Sequence, residues 1–337
     1  MVSRRDFLRA GVGAAVAFRA AHAMAGDKFR WACTSSMFRA LPHQPDDTLK
    51  MLSDYGFQGI EALIELETAA GGAPALKKRM DQYGIACANY WGGGSRCGDG
   101  PCVGSNYYDP AHPDQVRATI ENNIDLARNH VKVCGGRHLK VNLTGRDMKA
   151  HPVPGWWTTE ELSVLAKTLN EIGKGCADAG VKFCFHPHNW TLIDPYPAGN
   201  EVKRIMDLTD PKLVYMVADT AHLSLAGTDP VQFVNEWFPR IGDIHLKDVR
   251  VKYSPAKSGW KGPAPSREEH ARDNLYKQLG EGGVDFVAFL GALRKKGYDQ
   301  WVSLDFDAPR PGEGTLTENM DFRRKYILET LHGSLKS

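Results

Sequence analysis

Leu213-Val214-Tyr215-Met216-Val217-Ala218-Asp219-Thr220-Ala221-His222 is one short apolar run that stops abruptly on an acid, with a histidine three residues later. Six apolar residues without alternation suit a strand buried on both faces, as in a parallel sheet. The pattern recurs on either side. Val181–His186 runs into Pro187-His188-Asn189, Ile241–Leu246 into Lys247-Asp248, and Trp301–Asp305 into Phe306-Asp307. Towards the N-terminus, Lys28–Thr34, Gln58–Leu63, Ile85–Trp91 and Arg137–Leu143 complete eight such runs.

Helix signals separate them. Thr158 with Glu161 three residues on makes a capping box. Leu162, Leu165, Ala166, Leu169, Ile172 and Cys176 then hold one apolar face, as Val116, Ile120, Ile124 and Ala127 do earlier. Gly56, Gly84, Gly180 and Gly297 each precede a strand, where helices end on glycine. Strands alternating with helices predict an α/β fold with a parallel sheet, and eight units are the number that closes a (β/α)8 TIM barrel. A doubly wound open sheet lacks its G-x-G-x-x-G turn here. Long insertions, Gly92–Asp109 and Val249 to about Asn274, follow strands three and seven. Loops after strands lie on the catalytic face of a barrel, so both are candidate lids.

The first 25 residues read differently. Ser3-Arg4-Arg5-Asp6-Phe7-Leu8-Arg9 precedes a weakly apolar run, Ala10 to Phe18, then Ala21-His22-Ala23 and Ala23-Met24-Ala25. The order is that of a twin-arginine signal peptide, against which stands a basic, frayed helix. The expectation is a leader over 1–25, export by the twin-arginine machinery to the periplasm, and a mature barrel over 26–337. The chain has 42 basic and 40 acidic residues; the leader's four arginines and one aspartate leave 38 and 39. A net charge near zero offers no basic footprint for nucleic acid. No run approaches the roughly 20 apolar residues of a membrane span, so none is expected in the mature form. Seven cysteines are too few for a disulfide scaffold. Cys87, Cys134, Cys176 and Cys184 read as buried packing residues; Cys97 and Cys102 flank a glycine-rich loop, as a disulfide or as two thiols.

Nearly every strand ends on a polar residue: Glu61, Asn89, Asn142, His186, Asp219, His245 and Asp305. Any one could cap a helix. Four successive strands delivering His and Asp together point instead to a divalent metal of the Mn, Zn, Co or Fe kind.

These motifs resemble the xylose-isomerase-like barrels, which include sugar isomerases, ketose epimerases and inosose dehydratases. The likeness is carried by Gly56-Phe57-Gln58-Gly59-Ile60-Glu61, His186-Pro187-His188, Asp219-Thr220-Ala221-His222-Leu223, His245-Leu246-Lys247-Asp248-Val249 and Gly280-Glu281-Gly282-Gly283-Val284-Asp285-Phe286. It implies one divalent metal (Mn, Zn, Co or Mg) held by Asp219, His245 and Asp305, with His186 at the position of the usual strand-five glutamate. Strand eight also departs, offering Asp305 for glutamate, with Asp307 as its rival. His-Pro-His looks like the inosose dehydratase branch. His186 is then a ligand, a base or a histidine behind the ligands. His222 binds substrate, sits behind the ligands, or takes a second metal as in related DNA-repair barrels.

The implied function is a metal-dependent isomerase or epimerase of a free or keto-sugar, in which His186, Asp305 or Glu61 takes the proton beside a carbonyl and the metal stabilises the enediolate. The alternatives are a lyase or dehydratase that expels a β-oxygen, and a non-catalytic periplasmic sugar-binding barrel. Hydrolysis of a phosphodiester would need more zinc ligands and a basic groove. Substrate-binding candidates are His188, His222, Lys247, Asn142 and Trp260, Lys247 being either an oxyanion partner or a solvated rim lysine. Trp91, Trp190 and Tyr107 stack on sugar or pack the loops. A homo-oligomer is left open.

Overall fold

The computed structural model describes residues 28–35, 45–92, 106–143, 157–189, 201–305, 307, 309 and 312–336. The expected leader over 1–25, the Cys97–Cys102 pair and Trp190 lie outside the described residues. Eight parallel strands close into a barrel: β1 Arg30–Thr34, β2 Gly59–Leu63, β3 Ala86–Gly92, β4 His138–Asn142, β5 Lys182–His186, β6 Val214–Asp219, β7 Ile241–Leu246 and β8 Trp301–Leu304. Each strand pairs with its sequence neighbours, and β8 closes on β1. The expected (β/α)8 architecture is what the chain forms. Most strands begin one or two residues later than the apolar runs suggest; before β2, β3 and β5 the N–H of the residue after the glycine still bonds back into the preceding helix, Phe57 to Leu52, Ile85 to Met80 and Val181 to Cys176.

Register explains why strand ends meet. Asn142 lies level with His186, and Asp219 with His245. Irregularities at Ile60/Glu61 and Met216/Val217 interrupt the ladders just before two of the polar ends, where an extra residue re-aims the side chains beyond it.

The helices obey their signals. Thr158 and Glu161 cap the helix Thr159–Asp178 reciprocally, and its apolar face is buried. Gly180 stops it in the left-handed region at φ 76°, which a side chain would resist. The core between barrel and helices includes Cys87, Cys134 and Cys176, and Cys184 is also buried, all four as free thiols. Among the described residues no helix is long and apolar enough to cross a membrane.

The insertion after β7 folds back on the barrel. It carries helices Pro255–Ser258 and Arg267–Asp273, and closes through an antiparallel ribbon pairing Asp248–Val249 with Tyr276–Lys277. The Asp248 carboxylate gathers the backbone N–H groups of Val249 (2.8 Å), Gly280 (2.9 Å), Gly282 (2.9 Å) and Val284 (3.0 Å). That explains the Gly280–Phe286 motif: Gly282 passes so close that a methyl group there would collide with Val249 O and the Asp248 carboxylate. Gly282→Ala is therefore expected to cost about 1–3 kcal/mol, as overpacked sites do, read as a lower melting temperature. Unchanged thermal stability would show that this packing is not rigid.

Candidate functional site

His186, Asp219 and His245 meet at the C-terminal mouth of the barrel. Asp219 ends β6 and caps the helix Thr220–Leu225: its Oδ1 accepts from the N–H groups of Ala221 (2.8 Å) and His222 (2.9 Å). That fixes the carboxylate, leaving Oδ2 3.4 Å from His186 Nε2 and 3.8 Å from His245 Nδ1. Asn142 Oδ1 stands 3.3 Å from His186 Nδ1. An amide oxygen only accepts, so His186 carries its proton on Nδ1 and Nε2 holds the lone pair.

His186 Nε2, Asp219 Oδ2 and His245 Nδ1 are all buried and make no hydrogen bond. Each such atom costs about 1–3 kcal/mol if nothing compensates it. The three residues offer donor atoms within 4.8 Å of one another. A tetrahedral ion with ligands at about 2.0–2.2 Å spaces its donors about 3.3–3.6 Å apart, so the orphaned atoms fit a divalent cation. Asp305 is adjacent, its Oδ2 3.5 Å from His245 Nδ1.

The electrostatics belong to the group. Burial, with Lys140 and His245 nearby, holds His186 well below its ordinary value and therefore neutral. Burial and Asp305 push Asp219 up. For Asp305, burial is outweighed by Lys247 and His245, and its carboxyl is held well below the usual range. Burial and Lys140 oppose charge on His245, yet Glu61 and Asp305 hold it up to about 9.

Glu61, expected among the proton acceptors, has a different place. Lys140 Nζ donates to its Oε1 at 2.6 Å, and His245 Nε2 lies 3.0 Å from its Oε2. Burial would raise its pKa, but those two partners bring it down to about 2. With both oxygens engaged, Glu61 is a poor proton acceptor and instead fixes the ring of His245, as carboxylates do behind ligating histidines. Lys140 was not legible as part of the site: it sits in the middle of β4, between Leu139 and Val141, and not at a strand end. Below the pair, Asn89 donates to Asp243, whose pKa is pushed to about 6, mainly by burial.

Lys247 spans the rim. Its Nζ is 3.4 Å from Asp305 Oδ2 and 3.1 Å from Asp307 Oδ2, and 4.1 Å from the centre of the Tyr276 ring. Asp305 thus faces the metal-type cluster, whereas Asp307 meets Lys247 from a largely exposed position. A polar cavity of about 410 Å³ opens beside them, with Tyr276, Gln278 and Arg323 among its walls. Those three come from the returning ribbon, the residue after it and the last helix, not from the ends of barrel strands, and carried no sequence signal.

His188 and His222 stand next to His186, with ring centres 4.6 and 5.5 Å from it. Trp260 is not brought to this group by any contact: its indole N–H donates to Leu225 O (2.9 Å) and its ring packs edge-on to Tyr253. Tyr107 is buried against Asn123, as loop packing predicts.

Fold and site together define a closed (β/α)8 barrel with an imidazole–carboxylate centre at its mouth. The model of the xylose isomerase-like TIM barrel family matches residues 49–326, and the chain belongs to that family. An inosose dehydratase of Clostridium tetani is 31% identical over 176 residues, 51% of this chain and 56% of that protein; the chain thus spans little more than half the length of such relatives. The fold is shared with a sugar phosphate isomerase/epimerase from Parabacteroides distasonis (TM-score 0.65, 15% identity, 91% of this chain and 96% of that one). It is shared also with a 3-keto-D-glucoside 4-epimerase from E. coli (TM-score 0.61, 15% identity, 87% and 97%).

Proposed function

We propose that this chain is a metal-dependent lyase that removes a proton beside the carbonyl of a keto-sugar and expels a β-oxygen. The observation that carries the metal is the convergence of three buried, unbonded atoms from His186, Asp219 and His245. A divalent ion there would polarise the substrate carbonyl and acidify the neighbouring C–H. Asp305 completes the set of residues able to hold it.

The groups left to carry protons favour elimination over epimerisation. His188 and His222 lie together beside the ligand His186, just after β5 and β6. Epimerisation takes a proton from one face of a carbon and returns one to the other. Elimination can use a single face. Burial, and for His188 the nearby His186, keep His188 well below its ordinary value, in the neutral, proton-accepting form. His188 takes the C–H proton, the C–O bond breaks with its electron pair on oxygen, and the same imidazole returns the proton to that oxygen. The inosose dehydratase relatives support this reading; the E. coli epimerase supports proton transfer beside a carbonyl without elimination.

The deciding assay offers the purified chain 3-keto-glucosides, inososes and free ketoses, with and without chelator, in deuterated water. Elimination product that vanishes on metal removal is expected. Solvent deuterium entering substrate with inverted configuration would favour epimerisation, and activity indifferent to complete metal stripping would sink the mechanism. Residues 1–25 fit an export leader, which favours unphosphorylated sugars as substrates.

Metal uptake should also release a proton. His245 is held at about 9 without metal, so below that pH an ion must displace its proton. Affinity is expected to rise about tenfold per pH unit up to roughly 9. Calorimetry at pH 8 in buffers of different ionisation enthalpy should find about one proton released per ion; none released would mean His245 does not ligate.

A further inference from the structure

The end of the barrel away from the mouth holds another cavity, of about 320 Å³, where β4, β5 and β6 begin. Arg137, His138, Lys182, Lys212, Tyr215 and Gln300 are among its walls, and the described residues lining it bring three cations and no carboxylate. Backbone pairing fixes the group: Lys182 N–H donates to Arg137 O (2.7 Å), and His138 lies level with Lys182. The Lys182 ammonium stands 4.7 Å from the centre of the Tyr215 ring. His138 reports the field there. It is buried, and its Nδ1 makes no hydrogen bond. Burial first, then Lys182, Arg30 and Arg137, bring it down to about 3, so the ring is neutral. The helix Thr159–Asp178 ends beside the cavity, with Ala177 and Gly180 in its wall. Its C-terminus supplies only about half a negative charge, and the N–H groups of Gly180 and Val181 already cover Ala177 O and Cys176 O. The neighbouring Asp210 takes the backbone N–H of Lys212 (2.8 Å) and is not among the walls. Half a charge falls well short of three cations.

We propose that this cavity binds a phosphate group, held by Arg137, Lys182 and Lys212 at the end of the barrel remote from the metal-type cluster. The guanidinium of Arg137 offers a planar fork that matches two phosphate oxygens, and the lysines add point charges. A phosphate group carries close to two negative charges and several acceptor oxygens, against one charge and two oxygens for a carboxylate, so it answers three cations better. Its charge would also offset the repulsion that keeps His138 neutral. The volume is at the small end for ligand pockets. It admits free phosphate or the phosphate end of a small ester. The site stands apart from the mouth, so it does not depend on how the mouth is read.

The test offers the purified chain inorganic phosphate or glycerol 3-phosphate, with chloride as the control at equal ionic strength. Binding is read by calorimetry, melting curves and the NMR signals of the His138 ring. Saturable binding with a Kd on the order of millimolar is expected, as two or three charge-assisted contacts give. Phosphate should raise the melting temperature and move the His138 signals. Arg137→Gln and Lys212→Gln, both at exposed positions, should each weaken binding about tenfold, the loss of one such contact, and the double variant should bind no phosphate measurably. Lys174→Gln, an exposed lysine paired with Asp178 on the adjoining helix, should leave the affinity unchanged. Tighter binding of glycerol 3-phosphate would identify an ester as the occupant; equal or weaker binding would identify free phosphate. The proposal is overturned if chloride stabilises as well as phosphate, if the double variant binds like the parent, if Lys174→Gln loses as much as Lys212→Gln, or if binding saturates while the His138 ring does not respond.

Discussion

Asp219→Asn is expected to lower turnover of the proposed substrate about a thousandfold while the fold survives. A bound cation supplies several kcal/mol of transition-state stabilisation, and each 1.4 kcal/mol is about tenfold in rate. The asparagine removes the charge and the ligating oxygen that faces His186 and His245. It keeps an amide oxygen for the N–H groups of Ala221 and His222, so the helix cap persists. Because burial and Asp305 already disfavour the carboxylate, the metal-free variant should melt no lower than the parent. Steady-state rates and melting curves together check this. Full activity would remove Asp219 from the centre, and loss of fold would mean that its charge, and not the capping oxygen alone, holds this end of β6 in place.

The largest stability effect is expected at Lys140. Lys140→Met leaves the Glu61 carboxylate buried with His245 as its one remaining counter-charge. Breaking a buried pair from one side costs about 3–5 kcal/mol. The sign with pH is set by Glu61. Its folded pKa, about 2, is below its ordinary 4.5. The pair's contribution is therefore present above about pH 4.5 and lost as pH falls towards 2. Without Lys140, burial prevails and the carboxyl is easier to protonate, so the gap between variant and parent should narrow in acid. Adding Glu61→Gln should recover much of the loss at neutral pH. Denaturant unfolding at pH 7 and pH 4 measures all three chains; a single variant as stable as the parent would mean that water already reaches Glu61.

The barrel was legible because nearly every apolar run carries an acid, amide or histidine at or near its end and several helices stop at a glycine. Those are local signals, and parallel pairing turned them into one mouth. His186, Asp219, His245 and Asp305 could be read because they sit at strand ends, where topology alone makes them converge. The role of Glu61 could not. From the sequence it is one more strand-end carboxylate, and what removes it from proton transfer is Lys140, 79 residues away. The walls of the polar cavity were hidden for the same reason. Tyr276 and Arg323 arrive through a ribbon and a helix whose placement depends on tertiary packing. The His188–His222 contact was half visible, since both residues come just after strand ends, but their shared approach to His186 needed the register of neighbouring strands.

The clasp on Asp248 bears on how the barrel breathes. Four amides share one carboxylate, and they tie the start of the long insertion to the segment that closes it. A segment anchored at both ends in this way moves with the barrel frame. Its amide protons should trade with solvent as slowly as those of the innermost strands, through global opening alone. The read-out is deuterium uptake at Gly280, Gly282 and Val284, whose protection would place this wall among the last parts of the molecule to come apart.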